Sequence, residues 1–196
     1  MTRNEKNVIE RIANDLKDHV ITVKLAAGMY RHWRCQKPGS WNMGFDVVTW
    51  PGSLCYTGDM GDYLFQRTED MVAFMRGSCM SYSYAAEKCV AHDGRLEEFS
   101  EDAMEQVLSQ AVADAEPEEV KDVLEKCDEI RADFSNNSDH HDTRKAMYDS
   151  DLWDGCDMPS CEEYTVHFLW CLHAIKWFCA KVLAGEVVDE TKGKQP

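Results

Sequence analysis

Val8, Ile9, Ile12, Leu16 and Val20 recur at steps of three and four with charged residues between them, which predicts an amphipathic helix over 4–20 that ends before Gly28. From Met29 the texture changes to aromatic and β-branched residues cut by glycine and proline, the composition of strands. Strands are expected near 29–36, 43–50, 53–58 and 62–67. Trp50-Pro51-Gly52-Ser53 puts proline where a type II turn fixes φ and glycine where φ must be positive. Gly58-Asp59-Met60-Gly61 suits a short hairpin with Gly61 in a left-handed position beside a bulge. These turns predict a four-stranded antiparallel meander.

After Arg67 the periodicity is helical. Thr68 is the expected N-cap of a helix whose apolar face is Met71, Val72, Phe74 and Met75, and a second helix runs through "SYSYAAEKCVA" to a break at Gly94. Ser100 is expected to cap a third, with Met104, Val107, Leu108 and Ala111 inward, and Pro117 to open a fourth in its first turn. "FSNNSDHHD" reads as a loop, 141–149 as a short helix, "SDLWDGCDMPS" as a loop, and 160–183 as a long apolar helix stopped by Gly185. The expectation is an α+β fold in one domain over 1–188: an N-terminal helix, the meander, and a mostly helical C-terminal two-thirds packed on one face of the sheet. Residues 189–196 are expected to form a frayed tail.

Charge sharpens this picture. The 196 residues carry a net charge of −15, and residues 100–163 alone hold 20 acidic and 5 basic side chains. Such a segment is not expected to bind nucleic acid or an anionic membrane directly. The opening "MTRNEKNVIERIANDL" is polar from its first turn, unlike a secretion signal, and the apolar stretch 164–185 contains two His and two Lys, as a buried helix would. Nine cysteines with no C-x-x-C pair read as reduced thiols, several of them core residues. A soluble protein of the cytosol is expected.

The segment "FDVVTWPGSLCYTGDMGDYLFQRTEDMVAFMR", Phe45 to Arg76, resembles a block found in small accessory proteins of tailed bacteriophages and prophages. In those proteins, too, a strand, a Trp-Pro-Gly turn, a strand ending in Gly-Asp-Met-Gly and an aromatic-rich helix follow one another. "EEFSEDAMEQVL" and "FLWCLHAIKWF" extend the resemblance more weakly. It implies a phage gene expressed in the host bacterial cytoplasm, and it transfers no catalytic residue. By analogy with such accessory proteins, it implies binding and blocking of a host machine, of the anti-CRISPR or anti-restriction type.

Within the acidic segment, residues 118–134 give two faces at 100° per residue. Val120, Val123, Leu124, Cys127, Ile130 and Phe134 form one; Glu118, Asp122, Glu125, Glu129 and Asp133 form the other, flanked by Lys121, Lys126 and Arg131. Like charges at this spacing cost about 0.2–0.5 kcal/mol per pair in an isolated helix, so stability does not account for the stripe. Two readings stay open. The face mimics nucleic acid and occupies a basic nucleic-acid-binding groove on a host protein, or it is a solvated surface that keeps the chain soluble.

Other constellations compete for a chemical role. Asp139, His140, His141 and Asp142 could ligate a metal in a small hydrolase acting on nucleotides or nucleic acid, which is the alternative function; the competing reading of "SDHHD" is a polar helix cap. Asp149 and Asp151 match the first positions of a calcium loop, but Trp153 and Ser160 fail the fifth and twelfth. Cys156, Cys161, His167 and Cys171 have spacings that match no common zinc module. No phosphate loop, dinucleotide fingerprint or nucleophile elbow occurs. The sequence therefore nominates no catalytic residue, no cofactor and no metal, and it places the expected partner-binding residues on the acidic face.

Overall fold

The computed structural model describes residues 1–77, 80–136, 140–154 and 157–189. By their contacts these residues divide into two compact units, one of Arg3–Leu96 with the chain from Tyr164 onward, the other of Glu97–Glu163. The fold is α+β, as expected.

In the first unit, α1 (Arg3–Leu16) is followed by β1 (Val20–Ala27), β2 (Tyr30–Gln36), β3 (Phe45–Trp50), β4 (Ser53–Gly58) and β5 (Gly61–Gln66). Each strand pairs antiparallel with the next. Two short helices, α2 (Met71–Met75) and α3 (Tyr82–Lys88), lead to β6 (Cys89–His92), which pairs with β5. The meander is thus longer than the expected four strands. The sheet of this unit has seven, in the order β6-β5-β4-β3-β2-β1-β9, and it is mixed, because β9 (Val188–Asp189) joins β1 in parallel.

Two expected helical stretches become strand for a physical reason. The first helix stops at Leu16, and Ile21 and Val23 then alternate inward, so the β-branched run from Val20 gains more as a strand beside β2 than as a further helical turn. Cys89–His92 likewise leaves α3 to pair with Tyr63–Phe65 across a register shift. Asp70 takes the N-cap of α2 expected of Thr68: its carboxylate accepts from Val72 N and Ala73 N and from Arg31 Nη2 at 2.8 Å. The type II turn is borne out, with Gly52 at φ +79°. Gly58 and Gly61 pair across a two-residue hairpin, and the expected bulge is absent there.

One face of the sheet is covered. Trp33, Val47, Tyr56 and Tyr63 lie directly opposite one another on successive strands and all are buried. They pack with α7 (Val166–Leu183), whose Phe168, Trp170, Cys171, Ile175 and Phe178 are buried as well. Trp33 meets Phe178 edge-on at 5.2 Å. By length and composition α7 is apolar enough to cross a membrane, yet half of it is buried inside this unit, as the buried-helix reading requires. Thr165 caps it, and Gly185, at φ +76°, follows its end. The other sheet face alternates His32, Val48, Cys55 and Leu64 with Arg34, Asp46, Thr57 and Asp62, all half-buried or exposed.

Burial lowers the proton affinity of two histidines in this unit, His19 and His173, below the ordinary value of 6.5. The unfolded chain therefore binds more protons in mildly acidic solution, and stability rises with pH. Their contribution is complete above 6.5, declines as the pH falls below it, and is gone once the folded groups themselves take up a proton. The urea midpoint is expected to be higher at pH 7.5 than at pH 5.5, with the difference reduced in the His19→Gln, His173→Gln double variant. An unchanged difference in that variant would assign the acid sensitivity to other groups.

The second unit contains β7 (Glu97–Phe99), α4 (Glu101–Asp114), α5 (Val120–Asn136), α6 (His140–Asp149) and all but the last residue of β8 (Glu162–Tyr164), which pairs with β7. Ser100 caps α4 as expected, accepting from Ala103 N, and its hydroxyl donates to the buried Glu163 at 2.8 Å. The core is small: Met104, Leu108, Cys127, Ile130, Met147 and Cys161. The seven described cysteines of the chain are free thiols, five of them buried. Of the expected tail, residues 190–196 lie outside the described residues, and Asp189 is part of β9.

Candidate partner-binding face

The 67 residues of the second unit hold 22 acidic and 5 basic side chains, a formal charge of −17. The rest of the chain is slightly basic. The acidity is therefore concentrated in one compact body, and α5 crosses that body with one face inward. Cys127 and Ile130 are fully buried, Val123 and Phe134 pack at the edge of the core, and Phe134 meets Phe99 at 5.7 Å. Leu124, expected on the core stripe, is 42 % exposed. Only the part of the stripe centred on Cys127 and Ile130 is enclosed.

The five expected partner residues fall in three environments. Glu118 lies in the turn 117–119 that precedes α5, where Val120 N bonds back to Glu116 O. Asp122, Glu125 and Glu129 stand exposed on the helix. Asp133 is half-buried, and its Oδ2 is shielded from water with no hydrogen-bond partner among the described residues. A partner would thus meet the first four residues directly and the fifth less.

The stripe is also partly compensated. Lys126 reaches Asp122 at 2.9 Å, and Lys121 reaches Glu125 at 3.6 Å, both one helical turn away. Lys126 holds its proton more tightly than usual because it donates to Asp122. Exposed pairs of this kind are weak and screened by salt, so a partner's cations can replace them. Arg131 is built in more firmly: its Nε and Nη2 bind Glu105 of α4 at 3.0 Å, and Nη1 binds Asp128 at 3.0 Å. The burial of Cys127 and Ile130 sets which face of α5 turns inward, and the bridge ties α5 to α4 beside it.

The alternative metal site receives little from the structure. Asp139 lies outside the described residues, as do the side chains of His140 and His141, and Asp142 is exposed at the start of α6. Among the described residues no group of three or more His, Cys, Asp or Glu side chains is placed to hold a metal ion. Cys156 is likewise outside them, Cys161 belongs to the core of the second unit, and His167 is exposed on α7.

Sequence reading missed a polar cluster in the first unit. Tyr82 and His173, 91 positions apart, share a hydrogen bond of 2.9 Å, with Lys176 beside them. The available signal was faint: His173 and Lys176 interrupt the otherwise apolar "FLWCLHAIKWF" one helical turn apart. No protein-family model, curated protein or solved structure matches this chain.

Proposed function

We propose that this chain is a phage-encoded, non-enzymatic binding protein that blocks a bacterial defence or host nucleic-acid machine in the host cytoplasm. Its acidic unit enters a basic groove that otherwise holds nucleic acid. The observation that carries the reading is the segregation of charge: −17 in the unit of residues 97–163, with Asp122, Glu125 and Glu129 exposed along α5 and Glu118 exposed in the turn before it. Neighbouring carboxylates on one helix face stand about 5–6 Å apart, a spacing comparable with that of strand phosphates. A surface of this sign repels nucleic acid and steers toward cationic clefts.

Affinity purification from a bacterial lysate, followed by mass spectrometry, should recover a protein that itself binds DNA or RNA. Reversal of Glu118, Asp122, Glu125 and Glu129 to lysine is expected to weaken that complex at least about tenfold and to flatten its salt dependence. Duplex DNA should compete with the native chain for the same partner. Undiminished binding by the fourfold variant would remove α5 from the interface.

A further inference from the structure

A cleft of about 420 Å³ opens on the first unit where the ends of β4, β5 and β6 meet, lined by Pro51, Gly52, Ser53, Gln66, Arg67 and Lys88. Strand pairing brings these residues together from three parts of the chain. Ser53 and Gln66 stand directly opposite one another, and Phe65 pairs with Cys89, which sets Lys88 beside the end of β5. Leu54 and Phe65 turn into the core, so Ser53 and Gln66 belong to the sheet face that α7 does not cover.

The lining is rich in donors, and among the described residues no carboxylate belongs to it. Ser53 is 3 % exposed; its Oγ accepts from Gln66 Nε2 at 3.2 Å, and its own proton has no acceptor among the described residues. Arg67 is exposed, and no described carboxylate pairs with its guanidinium. The Lys88 side chain is 17 % exposed, with its ammonium 4.8 Å from the centre of the Tyr84 ring. Its anionic partner is the neighbouring Glu87, which is 65 % exposed. A pair open to water on one side is weak and screened, so an incoming anion can take the place of Glu87.

Two cations and a buried hydroxyl with a proton to donate, set on one polar concavity, are complementary to an oxyanion: the guanidinium offers a planar fork and the ammonium a point charge. The volume asks for more than a bare ion, since it falls within the range of about 300–1,000 Å³ typical of small-molecule sites. Among the described residues no aromatic ring lines the cleft, so nothing there stacks on a nucleobase.

We propose that this cleft binds a phosphate monoester of a small polyol or sugar. Arg67, Lys88 and the Ser53 hydroxyl donate to the phosphate oxygens, and Gln66 Oε1 accepts from the hydroxyl groups of the ligand. The site lies within the first unit and does not depend on the binding role proposed for the acidic one.

The test is calorimetric titration of the full chain with glycerol phosphate, glycerol and inorganic phosphate at constant ionic strength and pH 7.5. Glycerol phosphate should bind with a Kd of about 1 mM or tighter, inorganic phosphate at least about fivefold more weakly, and glycerol not at all. Arg67→Gln and Lys88→Gln should each weaken glycerol phosphate at least about tenfold. Arg67 is exposed, so its variant should keep the native urea midpoint. Glu87→Gln removes the competing carboxylate and should tighten binding, which a purely structural role of Lys88 would not produce. A Kd for glycerol phosphate above about 10 mM, or one no tighter than that of glycerol, would overturn the site. Inorganic phosphate binding as tightly as the ester would overturn the ester class. Unchanged affinity in both Arg67→Gln and Lys88→Gln would overturn the assignment to this cleft.

Discussion

Phe45→Ala is expected to remove about 3–5 kcal/mol from the stability of the first unit. Phe45 is completely buried; its ring stacks on Tyr56 at 4.9 Å and meets Trp170 of α7 edge-on at 6.3 Å. It joins the sheet to the helix that covers it, and none of these partners can collapse into the space it leaves. Trp170 is tethered by Nε1 to Asp15 at 2.9 Å, and Tyr56 is held by the strand ladder on both sides. Phe45→Leu retains most of the apolar volume and should cost about 1.5 kcal/mol. Urea unfolding followed by tryptophan fluorescence measures both, because five of the six tryptophans belong to this unit. The midpoint should fall while the slope holds. A loss in Phe45→Ala no greater than in Phe45→Leu would mean that the core refills the cavity.

Gly58→Ala should cost about 3 kcal/mol and exceed Gly52→Ala, although only Gly52 has a positive φ, +79°. A methyl group at Gly58 would stand 2.4 Å from Gly44 O and 2.7 Å from Phe45 Cα. These are backbone atoms, and Gly44 O is already engaged by Asp59 N at 3.0 Å, so they have no rotamer to retreat into. At Gly52 nothing lies within 4 Å, and the cost is conformational alone, about 1–2 kcal/mol. Equal losses from the two substitutions would show that the 44–45 backbone yields.

That contrast marks how far the sequence could be read. Trp50-Pro51-Gly52-Ser53 declares its turn through local dihedral preference, which needs no knowledge of the rest of the chain. The crowding at Gly58 is set by the neighbouring strand, and no local pattern carries it. The same division separates the elements. Strands β2 to β5, Ser100 as a cap and the apolar α7 follow from periodicity and capping chemistry. The strand at Val20–Ala27 was hidden because Val20 continues the three-and-four spacing of α1, and β6 because its four residues follow a helical run without a break. Strand β9 has two residues and exists through its pairing with β1.

The acidic face was legible as a periodicity, and its exposed members Asp122, Glu125 and Glu129 stand where 100° steps put them. The inward turn of Asp133 and the outward one of Leu124 depend on where the small core of the second unit ends. The bridge from Arg131 to Glu105 spans 26 positions, which no helical period reports. Tyr82 and His173 are further apart still, so the cluster around Lys176 became visible only through folding.

The pairing of β9 with β1 also orders events during synthesis. The first unit is assembled from segments on both sides of the second, so its edge strand β9 and its covering helix leave the ribosome after the whole of residues 97–163. The acidic unit is sequence-continuous, with its two ends joined by β7 and β8, and can close while α7 is still being made. Until then the row of Trp33, Val47, Tyr56 and Tyr63 has no α7 to cover it. The nascent chain is expected to pass through an interval in which that aromatic sheet face is open to chaperones, and slower translation across residues 166–189 would lengthen it.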